Sequence, residues 1–456
     1  MTTERVEEKV RETLHAVALD RVRAPGDLAE QVVRRRGRRR VSQAAGAAVA
    51  VAAITLGAVL GFGGGAGAGQ DRPVRPAASP EGWKAWQKEA PGATERGCLA
   101  DGSALYCAGS KYDAAKFDAN TGERLWAVKV NGEGDGIDHP FAVRDGVVYG
   151  YRNHTAKKQP NGDYMGGTDL MAVDAESGDV LWKKKMPQDD RTDQAVMLIN
   201  GAVFANTPSL RTMSALDPLT GEEKWHYTWK KGIACERAVL NGVPHLLCTR
   251  DTDKPHDTDV LRLNPASGAA EKVTTLPGRH QLTGNTGDRM VLAGEREPSD
   301  ENLRLTTVNG SGAQTSHTYR IPGMEAGKPG EVAETAVIGD RLFSVTWQGK
   351  ATAYSLTTGK TLWAAPVGIK MPDEDSFTGI ADPVVSERQG VVYFLNPSGD
   401  ISALDLRTGE KVWQDHVDIG KPGPLLAPAP QLLLYKDALV AHQGSKMVSL
   451  LPRTGG

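Results

Sequence analysis

Four cysteines carry the most definite chemistry in this sequence, and they fall as two pairs, Cys98 with Cys107 and Cys235 with Cys248. Each pair brackets a tight turn, Asp101-Gly102 in one and Asn241-Gly242 in the other. Each sulfur should therefore face its mate across a β-hairpin, at a separation a disulfide bridges. Two structural disulfides suit an oxidising exterior. A zinc site or a redox couple needs close-spaced pairs with histidine partners, which this sequence lacks. The ten histidines are scattered, with His139, His154 and His256 in expected loops and none at metal-ligand spacing. Asn131-Gly-Glu-Gly-Asp-Gly136 alternates oxygen ligands before a Gly, as a calcium loop does. Its twelfth position is Ala142 where such a loop needs a bidentate acid, so it reads as a solvated acidic loop. No Gly-rich phosphate loop, Gly-x-Ser-x-Gly elbow or Ser/His/Asp signature occurs. No catalytic, cofactor-binding or metal-binding residue is assigned, and no cofactor is expected.

The elements that position these residues repeat. Glycines 122, 178, 221, 268, 312, 359, 409 and 455 each follow a Thr or Ser and stand 43 to 56 residues apart. In five copies a Trp follows four residues later, namely Trp126, Trp182, Trp225, Trp363 and Trp413. Alternating stretches such as Ile401-Ser-Ala-Leu-Asp405 precede the turns, so each unit reads as a few short antiparallel strands. A period in the forties with about four strands per unit defines the blades of a β-propeller. The two-residue alternation and the Gly, Asn and Asp turns exclude a helical solenoid. The Gly supplies positive φ, and the Thr or Ser can satisfy a turn amide. The Trp residues should dock one blade on the next. Eight turns predict eight blades. The last would lack its fourth strand, which Gly82-Trp-Lys-Ala-Trp-Gln87 can supply, closing the ring from both ends.

The pattern in Ala215-Leu-Asp-Pro-Leu-Thr-Gly-Glu-Glu-Lys-Trp225 and Ala403-Leu-Asp-Leu-Arg-Thr-Gly-Glu-Lys-Val-Trp413 resembles the repeat of pyrroloquinoline-quinone-like (PQQ-like) propellers. The resemblance covers residues 83–456 and implies an all-β, eight-bladed propeller of four-stranded antiparallel blades. That family includes quinoprotein alcohol dehydrogenases and non-catalytic members such as an outer-membrane assembly lipoprotein. Its enzymes set a pair of adjacent cysteines against the quinone and hold calcium with acidic and amide side chains. This chain has no adjacent cysteines, and none of the family's calcium or catalytic-base residues matches a position here, which implies the non-catalytic branch. Blades four and five depart from the pattern, with Lys272 and Ser316 where Trp is expected.

Residues 41–62 hold no charge, enough for roughly 33 Å of helix at about 1.5 Å per residue. They are expected to form one transmembrane helix, with a cleaved signal segment as the alternative, Ala66-Gly-Ala68 being an acceptable small-residue site. No Cys lies near the span, so a lipid-modified N-terminus is not supported. Arg34-Arg-Arg-Gly-Arg-Arg-Arg40 abuts the span, which by the positive-inside bias keeps the N-terminus cytoplasmic and the propeller extracytoplasmic. Residues 1–40 carry eleven Lys and Arg against seven Asp and Glu, while the whole chain carries 54 against 56. The remainder is mildly acidic and excludes a nucleic-acid partner. The expected domains are a basic helical cytoplasmic segment, 1–40; the span, 41–62; a Gly/Ala/Pro-rich linker, 63–82; and the propeller, 83–456. The N-terminal arrangement is similar to short cytoplasmic segments of actinobacterial membrane proteins, some of which hold regulators.

Within each unit the first-to-second and third-to-fourth turns are short, whereas the connections near 131–140, 152–168, 251–259, 317–334 and 366–382 are long and share the other face. Long connections on a rigid scaffold are where binding residues concentrate. The expected ligand face has Tyr151, Tyr164, Trp229 and Trp347 as anchors and Asp251, Asp253, Asp373 and Asp375 as polar contacts. The leading functional expectation is a membrane-anchored extracytoplasmic binding or scaffold module for a protein or cell-envelope ligand. The alternatives are a diverged quinoprotein oxidoreductase using PQQ and calcium, and a purely structural envelope component.

Overall fold

A computed structural model describes residues 74–129, 139–154, 157–158, 164–165, 167–187, 196–250, 256–294, 302–320, 332–372, 379–421 and 429–453. The segments 1–40 and 41–62, the Asn131–Gly136 loop and the turn at Gly455 lie outside them. Among the described residues no helix is long and apolar enough to cross a membrane.

Eight four-stranded antiparallel sheets follow one another along the chain. Blade 1 is built from Gly97–Asp101, Ala104–Ala108, Tyr112–Asp118 and Arg124–Lys129 in that spatial order. Blades 2 to 7 repeat the plan, ending with Val384–Ser386, Val391–Leu395, Asp400–Asp405 and Lys411–His416. The first strands of neighbouring blades lie against one another, which makes them the inner wall of the ring. Blade 8 takes Gln431–Tyr435, Ala438–Gln443 and Lys446–Leu450 from the end of the chain and its outer strand, Trp86–Glu89, from the beginning. The closing register runs Trp86 opposite Ser449 to Glu89 opposite Lys446. The ring is closed by both chain ends, as the sequence predicts. Residues 74–82, expected to be linker, lie on the ring: Arg75 N donates to Gln389 O at 3.0 Å, and Ala78 N donates to Asp437 Oδ2 at 2.7 Å.

Each turn is held by its own side chains. Asp174 Oδ1 accepts from the amides of Glu176 and Ser177, Asp217 Oδ1 from those of Leu219 and Thr220, and Asp405 Oδ1 from those of Arg407 and Thr408. These backbone donors hold the Asp174 and Asp217 carboxyls below the usual carboxylate range. The Thr or Ser before the Gly accepts one more amide, as Thr121 does from Glu123 N. The Gly itself has φ of 69° to 80° in blades 1 to 4 and 75° in blade 7.

Conformation is only half of the demand on that Gly. A Cβ built at Gly122, Gly178, Gly221, Gly268 or Gly409 would stand 2.4–2.8 Å from the indole of the preceding blade, namely Trp86, Trp126, Trp182, Trp225 or Trp363. The same indoles donate Nε1 to the carbonyl three residues before the Gly, at Ala119, Ala175, Pro218, Pro265 and Leu406, over 2.8–3.1 Å. Burying such a ring removes about 150–250 Å² from water, roughly 4–6 kcal/mol on area alone, against about 1 kcal/mol for the hydrogen bond. Burial drives the docking and the hydrogen bond fixes its angle. Trp86, from the closing strand, is thus a docking residue that the repeat pattern does not mark.

Trp413 is half-buried and meets Tyr393 edge-on at 6.3 Å; the Gly455 turn expected to receive it is outside the described residues. In blade 5 His317, one residue past the expected position at Ser316, takes over the docking: Gly359 abuts its ring and Nε2 donates to Thr357 O at 3.0 Å. In blade 4 the Val273 carbonyl approaches Gly312 instead. The core is accordingly a series of layers between blades, such as Phe204, Met213 and Trp225 of blade 3 against Leu246 and Leu263 of blade 4.

Gly201 and Gly268 share φ of 70°, yet only Gly268 has an indole against it, since nothing lies within 4 Å of a Cβ at Gly201. Gly201→Ala should cost about 1 kcal/mol and Gly268→Ala a further 1–3 kcal/mol or so. Equal losses in denaturant titrations would remove the close-approach argument. Deleting residues 447–456 takes nearly all of Lys446–Leu450, the partner of the closing strand. Loss of the cooperative thermal transition is expected, and a shortened chain with an unchanged Tm would contradict the closure.

Candidate functional site at the long-connection face

Strand direction alternates outward through every blade, so first-to-second and third-to-fourth turns emerge together on a short-turn face. Second-to-third and blade-to-blade connections emerge on the opposite, long-connection face. The sequence-predicted anchors distribute unevenly there. Tyr151 is half-buried and packs on Phe141 at 5.4 Å between ring centroids. Tyr164 lies in a two-residue strand paired with Lys157–Lys158. Trp229 and Trp347 are 6% and 8% exposed. This corrects the expectation of ligand anchors: Trp229 belongs to the layer between blades 3 and 4, with the Arg237 guanidinium 5.6 Å from its ring centroid. A Trp that directly follows a strand, as Trp229 follows Glu223–Thr228 and Trp347 follows Arg341–Thr346, carries no sequence signal separating these outcomes. Asp251, Asp253, Asp373 and Asp375 lie outside the described residues.

What the sequence does not reveal is a set of polar side chains paired across blades at this face. Asp113, fully buried at the start of the third strand of blade 1, accepts from Arg152 Nε of blade 2 at 2.5 Å, and Arg96 Nη1 stands 3.9 Å from its other oxygen. Burial pushes the Asp113 carboxyl up, and the two guanidiniums pull against it. Arg152 also donates to Lys129 O at 3.3 Å, and beside it His154 Nε2 meets Asp169 Oδ2 at 2.8 Å. In blade 4, Glu236 accepts from the Leu282 amide of blade 5, and burial raises its carboxyl.

A third network joins blades 8 and 1. Gln431 Oε1 accepts from Cys98 N at 2.7 Å and from His442 Nε2 at 2.8 Å. Its amide nitrogen therefore faces His139 Nε2, 3.3 Å away, and His139 turns Nδ1 to Pro140 O at 2.6 Å. His139 must carry its proton on Nδ1 for both contacts to form.

Both cysteine pairs form the disulfides expected of them. Cys98 stands directly opposite Cys107, and Cys235 opposite Cys248, each between the first two strands of its blade. All four cysteines are thereby joined across hairpin strands, in pairs 9 and 13 residues apart. Among the described residues no group of three His, Cys, Asp or Glu side chains is placed to hold a metal ion.

Eight blades with indole docking and Asx-turn repeats define a β-propeller of PQQ-like repeats. The chain belongs to the family described as outer membrane protein assembly factor BamB, which matches residues 74–231, 110–313 and 302–456. No curated protein matches the chain. Among solved structures, BamB from Moraxella catarrhalis is 15% identical, over 80% of this chain and 99% of that one, with a TM-score of 0.45. Apo AztD from Citrobacter koseri is 14% identical, over 76% and 91%, with a TM-score of 0.48. The computationally designed Ika8 protein is 13% identical, over 80% and 98%, with a TM-score of 0.51, a likeness of fold alone.

Burial lowers His442 to about 4 from the ordinary 6.5. The unfolded chain takes up this proton as pH falls through 6.5, but the folded chain does so only near 4, so stability present above 6.5 is lost across that window. Relative to wild type, His442→Gln should flatten the stability profile between pH 6.5 and 4.5, removing a slope approaching 1.4 kcal/mol per pH unit. Parallel profiles for the two proteins would refute the assignment.

Proposed function

We propose that the protein is a membrane-anchored, extracytoplasmic β-propeller that works as a non-enzymatic binding or scaffold module, its long-connection face receiving a protein or cell-envelope ligand. The observation that carries this reading is the asymmetry of the ring. One face is closed by turns of a few residues that cap themselves, while the other carries the long connections on a rim braced by Asp113, Arg152, Glu236 and Gln431 across blade boundaries. Bracing of that kind holds loop ends at fixed spacing, which lowers the ordering cost of binding. The family's description as an assembly factor fits a scaffold better than a reaction centre. Residues 41–62 supply the anchor, and residues 1–40 stay on the cytoplasmic side.

Isothermal titration of the purified chain with pyrroloquinoline quinone, with and without calcium, separates this reading from a quinoprotein oxidoreductase. No binding heat is expected; stoichiometric binding would replace the scaffold reading with the enzyme.

A further inference from the structure

Residues 74–85 lie across the ring as a strap, and their path has a direction. Val74 packs against the layer between blades 7 and 8, the cluster that includes Tyr393 and Leu439. Arg75 N bonds the Gln389 carbonyl, in the first-to-second turn of blade 7. Arg388, from that turn, pairs with Asp437 and donates to Pro76 O at 3.5 Å. Asp437 is 1% exposed and sits in the first-to-second turn of blade 8, where it also receives the Ala78 amide. Gln389 ties the two turns together, through Tyr393 on one side and the Asp437 carbonyl on the other. Farther on, Pro80 is buried, and Trp83 Nε1 donates to Ser449 Oγ at 2.9 Å before the chain enters the closing strand. First-to-second turns are the innermost turns of the short-turn face. The strap therefore starts near the ring axis on that face and runs outward to its edge.

From this we infer that the N-terminal segment leaves the propeller at the centre of the short-turn face, so that this face lies against the lipid surface and the long-connection face points away from it. The exit point follows from the strap; the lipid half of the inference rests on the anchored reading above. Only residues 63–73 separate the apolar stretch from Val74. Eleven residues reach about 40 Å fully extended and roughly 18 Å as a Gly-rich coil. Turning the ring over would take the tether about 15 Å across four strands and about 20 Å down a strand, with the bilayer still to be reached. That route uses almost the whole contour length, at a large cost in chain entropy. The strap thus makes the anchor an orienting device, with the long connections presented outward to a partner in the envelope or beyond it.

The test uses the full chain, whose described cysteines are all paired, leaving introduced thiols free for labelling. Ser103 lies in the first-to-second turn of blade 1 and Lys231 in the connection entering blade 4; both are exposed, near the axis, on opposite faces. Ser103→Cys and Lys231→Cys, each carrying a donor dye, are reconstituted in liposomes whose headgroups carry an acceptor. Several-fold stronger energy transfer from position 103 is expected. Equal transfer, or stronger transfer from 231, in protein that floats with the liposomes overturns the orientation while leaving the anchor intact. Failure to float overturns the anchored reading and the orientation with it. In detergent, pulsed dipolar distances from a spin label at Gln70→Cys should be shorter to position 103 than to position 231. The reverse order overturns the strap's exit point whatever the liposomes show.

Discussion

The ring depends on one contact repeated around it: an indole pressed flat onto a residue with no side chain. At Gly268 the approach of Trp225 leaves no room for a Cβ, and the same turn needs positive φ, so two independent demands select the same residue. The Asx cap before each Gly then fixes the carbonyl that receives the indole N–H. Turn, cap and ring form one unit, and the outer strand of each blade is placed by the turn of the next. A blade therefore has no finished geometry of its own until its neighbour is present.

Much of this was legible in the sequence, because turn chemistry is local. Thr-Gly or Ser-Gly followed by Trp four residues on marks Trp126, Trp182, Trp225 and Trp363, which dock as expected, and cysteines bracketing Asp-Gly and Asn-Gly turns mark both disulfides. Trp86 escaped the pattern because the third strand of its own blade, Lys446–Leu450, lies at the other end of the chain, so no Thr-Gly or Ser-Gly turn stands four residues before it. His317 escaped because the substitution is shifted by one residue and exchanges an indole for an imidazole that keeps only the stacking and one hydrogen bond. The candidate site was less legible. Trp229 and Trp347 sit where loops begin, and composition does not say whether a Trp there turns inward. The pairs at Asp113 with Arg152 and at Gln431 with His442 join residues 39 and 11 positions apart, and blade geometry rather than spacing brings them together.

The two faces solve different electrostatic problems. On the short-turn face the repeating acids are turn caps, Asp174 and Asp217 among them held ionised by backbone amides, and Asp437 is the buried exception, paired with Arg388 under the strap. On the long-connection face, charge goes into the protein, where burial pushes Asp113 and Glu236 up and arginine or amide donors pull them back. Partial cancellation of that kind gives rigidity more readily than stability, because a buried ion pair recovers little more than its own desolvation. A rim of that sort suits long loops that must start from fixed positions.

The closing strand has a consequence for how the molecule is made. Trp86 pairs with Ser449, so a strand synthesised early waits for a partner more than three hundred residues downstream. Bringing ends that far apart together costs about 5 kcal/mol of loop entropy, roughly twice that of an ordinary hairpin. During vectorial synthesis or export, the early blades can stack in order while Trp83, whose partner is Ser449, and the pairing edge of Trp86–Glu89 wait and blade 7 keeps an open flank. Closure of this propeller is thus the last step, after the Lys446–Leu450 strand has been made, and the open ring before it is the state that most needs protection from aggregation.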